Sequence, residues 1–423
     1  MDKPRTLLVR VSGRDQPGIT AALLSLLTAA GAQVHDIEQV TTRERLTLDL
    51  LVGLPDGDAA LKDLLFLGWE RGLSVDFEVV EPSVPSPRPR HAVTVIGLPL
   101  TTAALAAVAR EIATAGANID RITRMSRYPV VSYELVVSGG DVDALRAGLV
   151  AVSAQQGIDV AVQREGLERR AKRLVVMDVD STLIQDEAID LLASEAGQQD
   201  AVRAITERAM AGEVDFETAL RARVALLAGL DLATLQRVRD RLRLTPGART
   251  FVRTLKRLGY RLAMISGGFT FFTDMLGAEL GIDHAFANQL EIVDGRVTGR
   301  IVGRVIDRAR KAEILSAAAA SEGVPLEQVV AIGDGANDLD MLARAGLGIA
   351  FNAKPIVREA ADTAVSVPYL DAVLFVLGIH HDDIDLEDVD HAPGELTSPP
   401  AGSRHRDGQP GGQHSGPVAG RSV

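Results

Sequence analysis

Residues 174–184 read LVVMDVDSTLI, an uninterrupted apolar run that ends on two aspartates, Asp178 and Asp180, with only Val179 between them. A continuous apolar strand is buried on both faces, which in a soluble protein means the middle of a parallel sheet covered by helices. Three further runs follow the same plan. RLAMI ends at Ser266-Gly267-Gly268, VVAIG ends at Asp334-Gly335, and LGIAF closes the series. Helical stretches separate them, so from about Lys172 onward the pattern is α/β with a doubly wound parallel sheet. Ligands of such sheets sit beyond the carboxyl ends of the strands. Asp178, Asp180, Ser266, Asp334 and Lys311, which opens the helical stretch KAEILSAAAA, are therefore expected on one rim. Residues 187–245, rich in Ala, Leu, Arg and Glu, interrupt the rhythm as a helical cap, and LTPGA (244–248) marks the return.

The residue types on that rim suit phosphoryl transfer through an aspartyl-phosphate. A carboxylate attacks phosphorus once a divalent cation and an ammonium reduce the repulsion between anions. Asp178 is the expected nucleophile. Asp180 is placed to give a proton to the leaving alkoxide and to take one from the hydrolytic water. Asp334, with Asp338 behind it, supplies the hard oxygens that Mg²⁺ prefers. Lys311 supplies positive charge, while the Ser266 hydroxyl and the Gly267 amide are expected to hydrogen-bond the transferring group.

DVDST, SGG, Lys311 and GDGANDLDM stand in the order of the four motifs of the haloacid-dehalogenase-like phosphatases, and residues 172–380 resemble the phosphoserine phosphatases among them. The resemblance implies that Asp178 is phosphorylated and Asp180 is the general acid and base. It also implies a metal held by Asp178, the main-chain carbonyl of Asp180 and Asp334, with Asn337 and Asp338 in support. Substrate contacts carried over from that family are Glu187 for an ammonium, Arg223 for a carboxylate, and Phe216 as an apolar cap contact, alongside Ser266, Gly267, Lys311 and Asn337. The pairings are chemically sound, since a guanidinium meets a carboxylate bidentately. Arg221 is a rival to Arg223 on another face of the same helix. The implied reaction is Mg²⁺-dependent hydrolysis of O-phospho-L-serine to L-serine and phosphate, the last step of serine biosynthesis. Another small phosphomonoester, or a phosphoprotein, remains an open alternative. An amino-acid sensor with an inert phosphatase half would show erosion of a catalytic group, and none is eroded.

Upstream, residues 5–81 and 91–165 are two copies of one unit. VRVSGRDQPGITAALLSLLTAAGAQVHDIEQVTT overlays VTVIGLPLTTAALAAVAREIATAGANIDRITRMS with one residue of slippage. Each reads βαββαβ, with its first helix stopped at Gly31 or Gly116. The repeats resemble ACT domains, small modules that bind amino acids between paired copies. That resemblance implies a homodimer but does not name the amino acid; L-serine, as the product of the implied reaction, is the expected feedback ligand. In the first copy GRDQPGI matches the ligand loop, through Gly13, Asp15 and Gly18; the second has GLPLTTA there and lacks the aspartate and the second glycine. A tandem pairing platform without ligand is the alternative. The expected layout is an ACT-like domain at 1–84, a proline-rich linker at 85–90, a second ACT-like domain at 91–167, the phosphatase domain at 168–385, and a disordered tail at 386–423 rich in Pro, Gly, Ser and His.

The net charge of −12 argues against a nucleic-acid partner, and the absence of cysteine excludes disulfides, thiolate metal sites and cysteine nucleophiles. No apolar run approaches the roughly 20 residues that span a bilayer. The start, MDKPRTLLVRV, lacks a signal-peptide core, so the expected location is the cytoplasm.

Overall fold

The computed structural model describes residues 5–55, 59–81, 89–126 and 129–384. Most of the linker at 85–90 and all of the tail at 386–423 lie outside the described residues. The chain divides into two compact units, Met1–Pro87 and Arg88–Val423.

The first unit contains β1 (Arg5–Arg14), α1 (Ile19–Ala29), β2 (Gln33–Thr42), β3 (Arg45–Leu54), α2 (Ala59–Arg71) and β4 (Ser74–Val79), in the sheet order β2-β3-β1-β4 with antiparallel pairing. Period-two patterning places Leu46, Leu48, Leu50 and Val52 of β3 beneath the two helices, where Leu23, Leu27 and Leu64 meet them. Gly31 follows α1 at φ +69°, the left-handed position that ends a helix most easily with glycine.

The second unit opens with the repeat: β5 (Arg90–Gly97), α3 (Thr102–Thr114), β6 (Ala117–Arg124), β7 (Val131–Gly139), α4 (Val142–Gln156) and β8 (Asp159–Arg164), in the order β6-β7-β5-β8. Here β5 is buried along both faces from His91 to Gly97, whereas β1 alternates. The second face of this sheet is covered by the phosphatase core: Ile96, Met125, Val130 and Ala161 belong to the same apolar cluster as Val175, Met177, Val330 and Val373. Polar bonds fasten the seam. Asp159 Oδ2 accepts from the Ser366 amide at 2.6 Å, and Gln163 Nε2 donates to the Val376 carbonyl at 2.8 Å. Buried Arg169 pairs with Glu134 at 2.7 Å.

Then follow α5 (Leu167–Arg170), β9 (Leu174–Met177), the cap helices α6 (Ala188–Glu195), α7 (Gln199–Met210), α8 (Phe216–Ala225) and α9 (Leu232–Arg239), and α10 (Ala248–Arg257). Beyond them come β10 (Arg261–Phe269), α11 (Thr270–Leu280), β11 (His284–Val293), β12 (Arg296–Val302), α12 (Arg308–Ser321), β13 (Val329–Gly333), α13 (Leu339–Arg344), β14 (Leu347–Phe351), α14 (Pro355–Ala360), β15 (Thr363–Val365) and α15 (Val373–Val376). The sheet order is β12-β11-β10-β9-β13-β14-β15, parallel except for the antiparallel edge pair β11–β12. β9 is central. The four apolar runs of the sequence are β9, β10, β13 and β14.

The β11–β12 hairpin is an addition to the sequence expectation. It turns on Asp294 (φ +50°) and Gly295 (φ +74°), an Asp-Gly pair that supplies the two positive φ angles of a tight hairpin. Its Leu290, Val297 and Ile301 pack with Leu192, Val202, Leu220, Val224 and Leu235 of the cap. The hairpin thus forms the floor on which the cap rests. No helix among the described residues is long and apolar enough to cross a membrane.

Candidate active site

Asp178 follows the last residue of β9, and its amide donates to the Ile332 carbonyl of β13 at 2.9 Å, so the strand pairing itself positions the carboxylate. The chain then turns sharply through Ser181 at φ +59°. This turn aims Asp180 back over the rim, where its Oδ1 accepts from the Ala188 amide and its Oδ2 from the Ser266 hydroxyl, both at 2.9 Å. The Ser266 oxygen in turn accepts from the Gly268 amide at 2.7 Å. A β-carbon at position 268 would lie 3.0 Å from Asp180 Oδ2 and 2.9 Å from Ser266 Oγ, so the second glycine of SGG is required by packing against the carboxylate.

Lys311, in the first turn of α12, reaches under the rim. Its Nζ lies 2.5 Å from Asp178 Oδ1 and 2.7 Å from Asp338 Oδ1. Asp338 is fully buried, and its Oδ2 accepts from the Gly335 amide at 3.1 Å. Single carboxylate oxygens of Asp178, Asp334 and Asp338 lie within 4.8 Å of one another.

A cavity of about 700 Å³ opens above this cluster, between the sheet rim and the cap. Asp178, Asp180, Glu187, Phe216, Arg223, Gly267, Asp334 and Asn337 all line it. Of the two rival arginines, Arg221 is exposed and paired with Glu217 at 2.7 Å, while Arg223 lines the cavity. The Nε of Arg223 is buried and has no hydrogen-bond partner. Glu187 accepts from the Ser181 hydroxyl at 3.1 Å. Phe216 is the side chain nearest to where a β-carbon on Gly267 would sit, at 3.5 Å.

Residues 175–343 match the haloacid dehalogenase-like hydrolase family, and residues 5–78 and 89–163 each match an ACT domain family. The phosphoserine phosphatase of Streptomyces coelicolor is 54% identical over 90% of this chain and 94% of its own length. Phosphoserine phosphatase SerB2 of Mycobacterium tuberculosis is 49% identical over 90% of this chain and 95% of its own. This chain belongs to the phosphoserine phosphatase family. Among solved structures, the unliganded form of a probable phosphoserine phosphatase from Vibrio cholerae is 36% identical, with a TM-score of 0.56 over 68% of this chain and 86% of that one.

The electrostatics of this family member's site are those of crowded, half-dry carboxylates. Burial, then the neighbouring Asp338, push Asp178 well above its ordinary range, and Lys311 only partly offsets them. Burial also raises Asp180, against the hydrogen bonds from Ala188 and Ser266. Burial and Asp338 raise Asp334 to about 6. Glu187, solvent-facing but walled in by the cavity, is raised to about 7 by desolvation, Asp180 and Asp334. Burial opposes the charge of Lys311, but Asp178 and Asp338 outweigh it and hold the ammonium above its usual pKa. The closely spaced hard oxygens of Asp178 and Asp334, whose ionisation is held back by burial and then by Asp338, are what a divalent cation relieves, so the donor set fits a metal.

Three residues absent from the sequence expectations shape the site. Buried Asn288, on β11, donates to the Gly267 carbonyl and accepts from the Ile306 amide, both at 2.8 Å, which pins the SGG loop. Asp190 and Lys354 line the cavity. The ACT loop behaves differently from the catalytic motifs. A β-carbon on Gly13 would lie 2.5 Å from Leu73 Cδ2, so that glycine serves internal packing. Gly18 caps α1 at φ +90°, and Asp15 Oδ2 accepts a long hydrogen bond from Thr41 at 3.4 Å.

Proposed function

We propose that this protein hydrolyses O-phospho-L-serine to L-serine and phosphate through an aspartyl-phosphate on Asp178. The observation that carries the substrate assignment is Arg223: a guanidinium whose Nε is buried and unpartnered in the same cavity as Asp178 calls for a carboxylate from outside the protein. Glu187, on the other side, suits an ammonium. The phosphoserine phosphatases of Streptomyces coelicolor and Mycobacterium tuberculosis named above align with this chain over 94% and 95% of their own length.

Lys311 occupies Asp178 Oδ1, which leaves Oδ2 without a protein donor among the described residues and so available for attack. As the bond from that oxygen to phosphorus forms, the bond from phosphorus to the seryl oxygen breaks. Asp180, whose raised pKa lets it carry a proton, protonates the departing oxygen. Water then attacks phosphorus, gives its proton to Asp180, and releases phosphate from Asp178. The Ser266 hydroxyl, committed here to Asp180, must turn to reach the phosphoryl group, and Gly267 and Asn337 line the same cavity. Asp178, the main-chain carbonyl of Asp180 and Asp334 would hold Mg²⁺, with Asp338 behind them. The ion supplies positive charge against the phosphate dianion.

The ACT repeats are read as the sensor for L-serine, within a homodimer. The GRDQPGI loop of the first repeat supports the ligand assignment, and the core shared by the second repeat and the phosphatase supports mechanical coupling.

Phosphate release from O-phospho-L-serine with Mg²⁺ tests the reaction. Asp178→Asn abolishes it if the reading holds. Hydrolysis of other phosphomonoesters but not of phosphoserine refutes the substrate while leaving the chemistry standing. Inhibition by L-serine that is lost in Asp15→Ala at unchanged basal rate assigns the sensor; equal inhibition of both proteins means product competition at the active site.

A further inference from the structure

Five carboxylates line the cavity, Asp178, Asp180, Glu187, Asp190 and Asp334, against two cations, Arg223 and Lys354. The substrate proposed above carries a phosphate dianion and a carboxylate against one ammonium, so it is an anion approaching an acidic mouth on a protein of net charge −12. Arg223 is half-buried beneath the cap and Lys311 is sealed below the rim. Lys354 is exposed. The backbone fixes its place. β14 ends at Phe351, Asn352 turns the chain at φ +45° with its amide on the Val365 carbonyl at 2.9 Å, and the Lys354 carbonyl accepts from Val357 and Arg358 at 2.9 and 3.1 Å. Among the described residues no carboxylate lies within ion-pair distance of its ammonium. The positive charge is nonetheless felt inside, where it is one of the influences that draw Asp334 back down.

We infer that Lys354 is the substrate-steering cation of this cavity, drawing the phosphomonoester across the carboxylate-lined mouth to Asp178. An ordinary solvated lysine would leave the encounter untouched; one at the mouth of a low-dielectric cleft raises the local concentration of anionic substrate and the rate of entry, and salt screens the effect. Lys354 acts on entry and takes no part in bond-making. The inference rests on the phosphoserine reading and deepens it.

The experiment measures kcat and KM of the full-length Mg²⁺-loaded protein on O-phospho-L-serine across ionic strength. Lys354→Ala is compared with Lys354→Arg, Lys354→Glu and Arg173→Ala, the last removing one positive charge next to the opposite, amino end of β9. The expected result is a kcat/KM for Lys354→Ala about 3–10-fold below the unsubstituted protein at low salt, closing to within about 2-fold at high salt, with kcat unchanged. Lys354→Arg restores the rate, Lys354→Glu deepens the deficit, and Arg173→Ala shows none. A Lys354→Ala protein with no deficit, or with a deficit that ignores salt, overturns the inference while the phosphoserine reading stands. An unsubstituted protein that leaves phosphoserine intact overturns both.

Discussion

The Lys311 ammonium lies 2.5 Å from Asp178 Oδ1, and the two side chains keep only 1% and 5% of their surface in water. A buried pair of this kind contributes little net stability while intact, but removing one partner strands the other. Here the stranded groups would be two, since Asp338 shares the same ammonium. Lys311→Ala is expected to cost about 3–5 kcal/mol, read as a lower urea midpoint at neutral pH. Phosphate release should fall by about 10²–10³-fold as the charge facing the transition state is lost. An unchanged midpoint would mean that the two buried carboxyl groups need no cation to keep the fold.

The raised carboxylates fix the sign of a pH effect. A carboxyl whose folded pKa exceeds its unfolded value binds more protons in the folded state, so it destabilises the fold progressively as pH rises between those two values. Asp334 at about 6 and Glu187 at about 7 place that window between about pH 4 and 7 for the metal-free chain. A divalent cation held by the ionised forms would reverse the trend. The melting-temperature increase on adding Mg²⁺ should therefore be larger at pH 7.5 than at pH 5.5.

Glu187 must be ionised to hold an ammonium. KM for phosphoserine should fall as pH rises through about 7, and Glu187→Gln should raise KM and flatten that profile. A profile that keeps its shape in the variant would assign the titration to another group.

Asn288 ties the SGG loop to the backbone at Ile306. Asn288→Ala leaves the buried Ile306 amide and the half-buried Gly267 carbonyl without this partner, at a cost of about 1–3 kcal/mol by thermal or urea unfolding. Because Gly267 and Ser266 shift with the loop, kcat should fall as well. Loss of stability at full kcat would show that the loop is held by its neighbours alone.

Arg169 joins the second repeat to the phosphatase core, with Glu134 at 2.7 Å and Glu165 at 3.6 Å and its own side chain 5% exposed. Arg169→Ala should destabilise by about 3–5 kcal/mol. Since the two sheets share one apolar cluster, residues 88–384 should still unfold in one transition. Two separated transitions would show that the repeat folds apart from the catalytic core.

Much of this protein is legible in order along the chain. Strands buried on both faces must be continuously apolar, so β9, β10, β13 and β14 stand out, and the groups that end them have nowhere to go but the rim. Two repeats with period-two strands and glycine-stopped helices announce themselves in the same way. The β11–β12 hairpin carried a signal too, the Asp294-Gly295 turn, but it lay among strands of the opposite pattern. β15, three residues long, is too short for any periodicity to register. β5 differs from β1 by an apolar residue on its second face, a trace of the seam with the phosphatase that identifies no partner.

Tertiary structure decided the rest, for one physical reason. Hydrophobic periodicity and turn chemistry are local and act over a few residues, so the sequence by itself determined the elements, their caps and the residues that end each strand. Distances between those ends are set by packing between segments far apart in the chain. Only the assembled fold brought Arg223 rather than Arg221 to the cavity wall, tied Asn288 to Gly267, and placed Lys354 in the cavity lining. Exclusion of water, a property of the assembled core, is the largest influence that raises Asp178, Asp180, Glu187 and Asp334 above the ordinary carboxyl range.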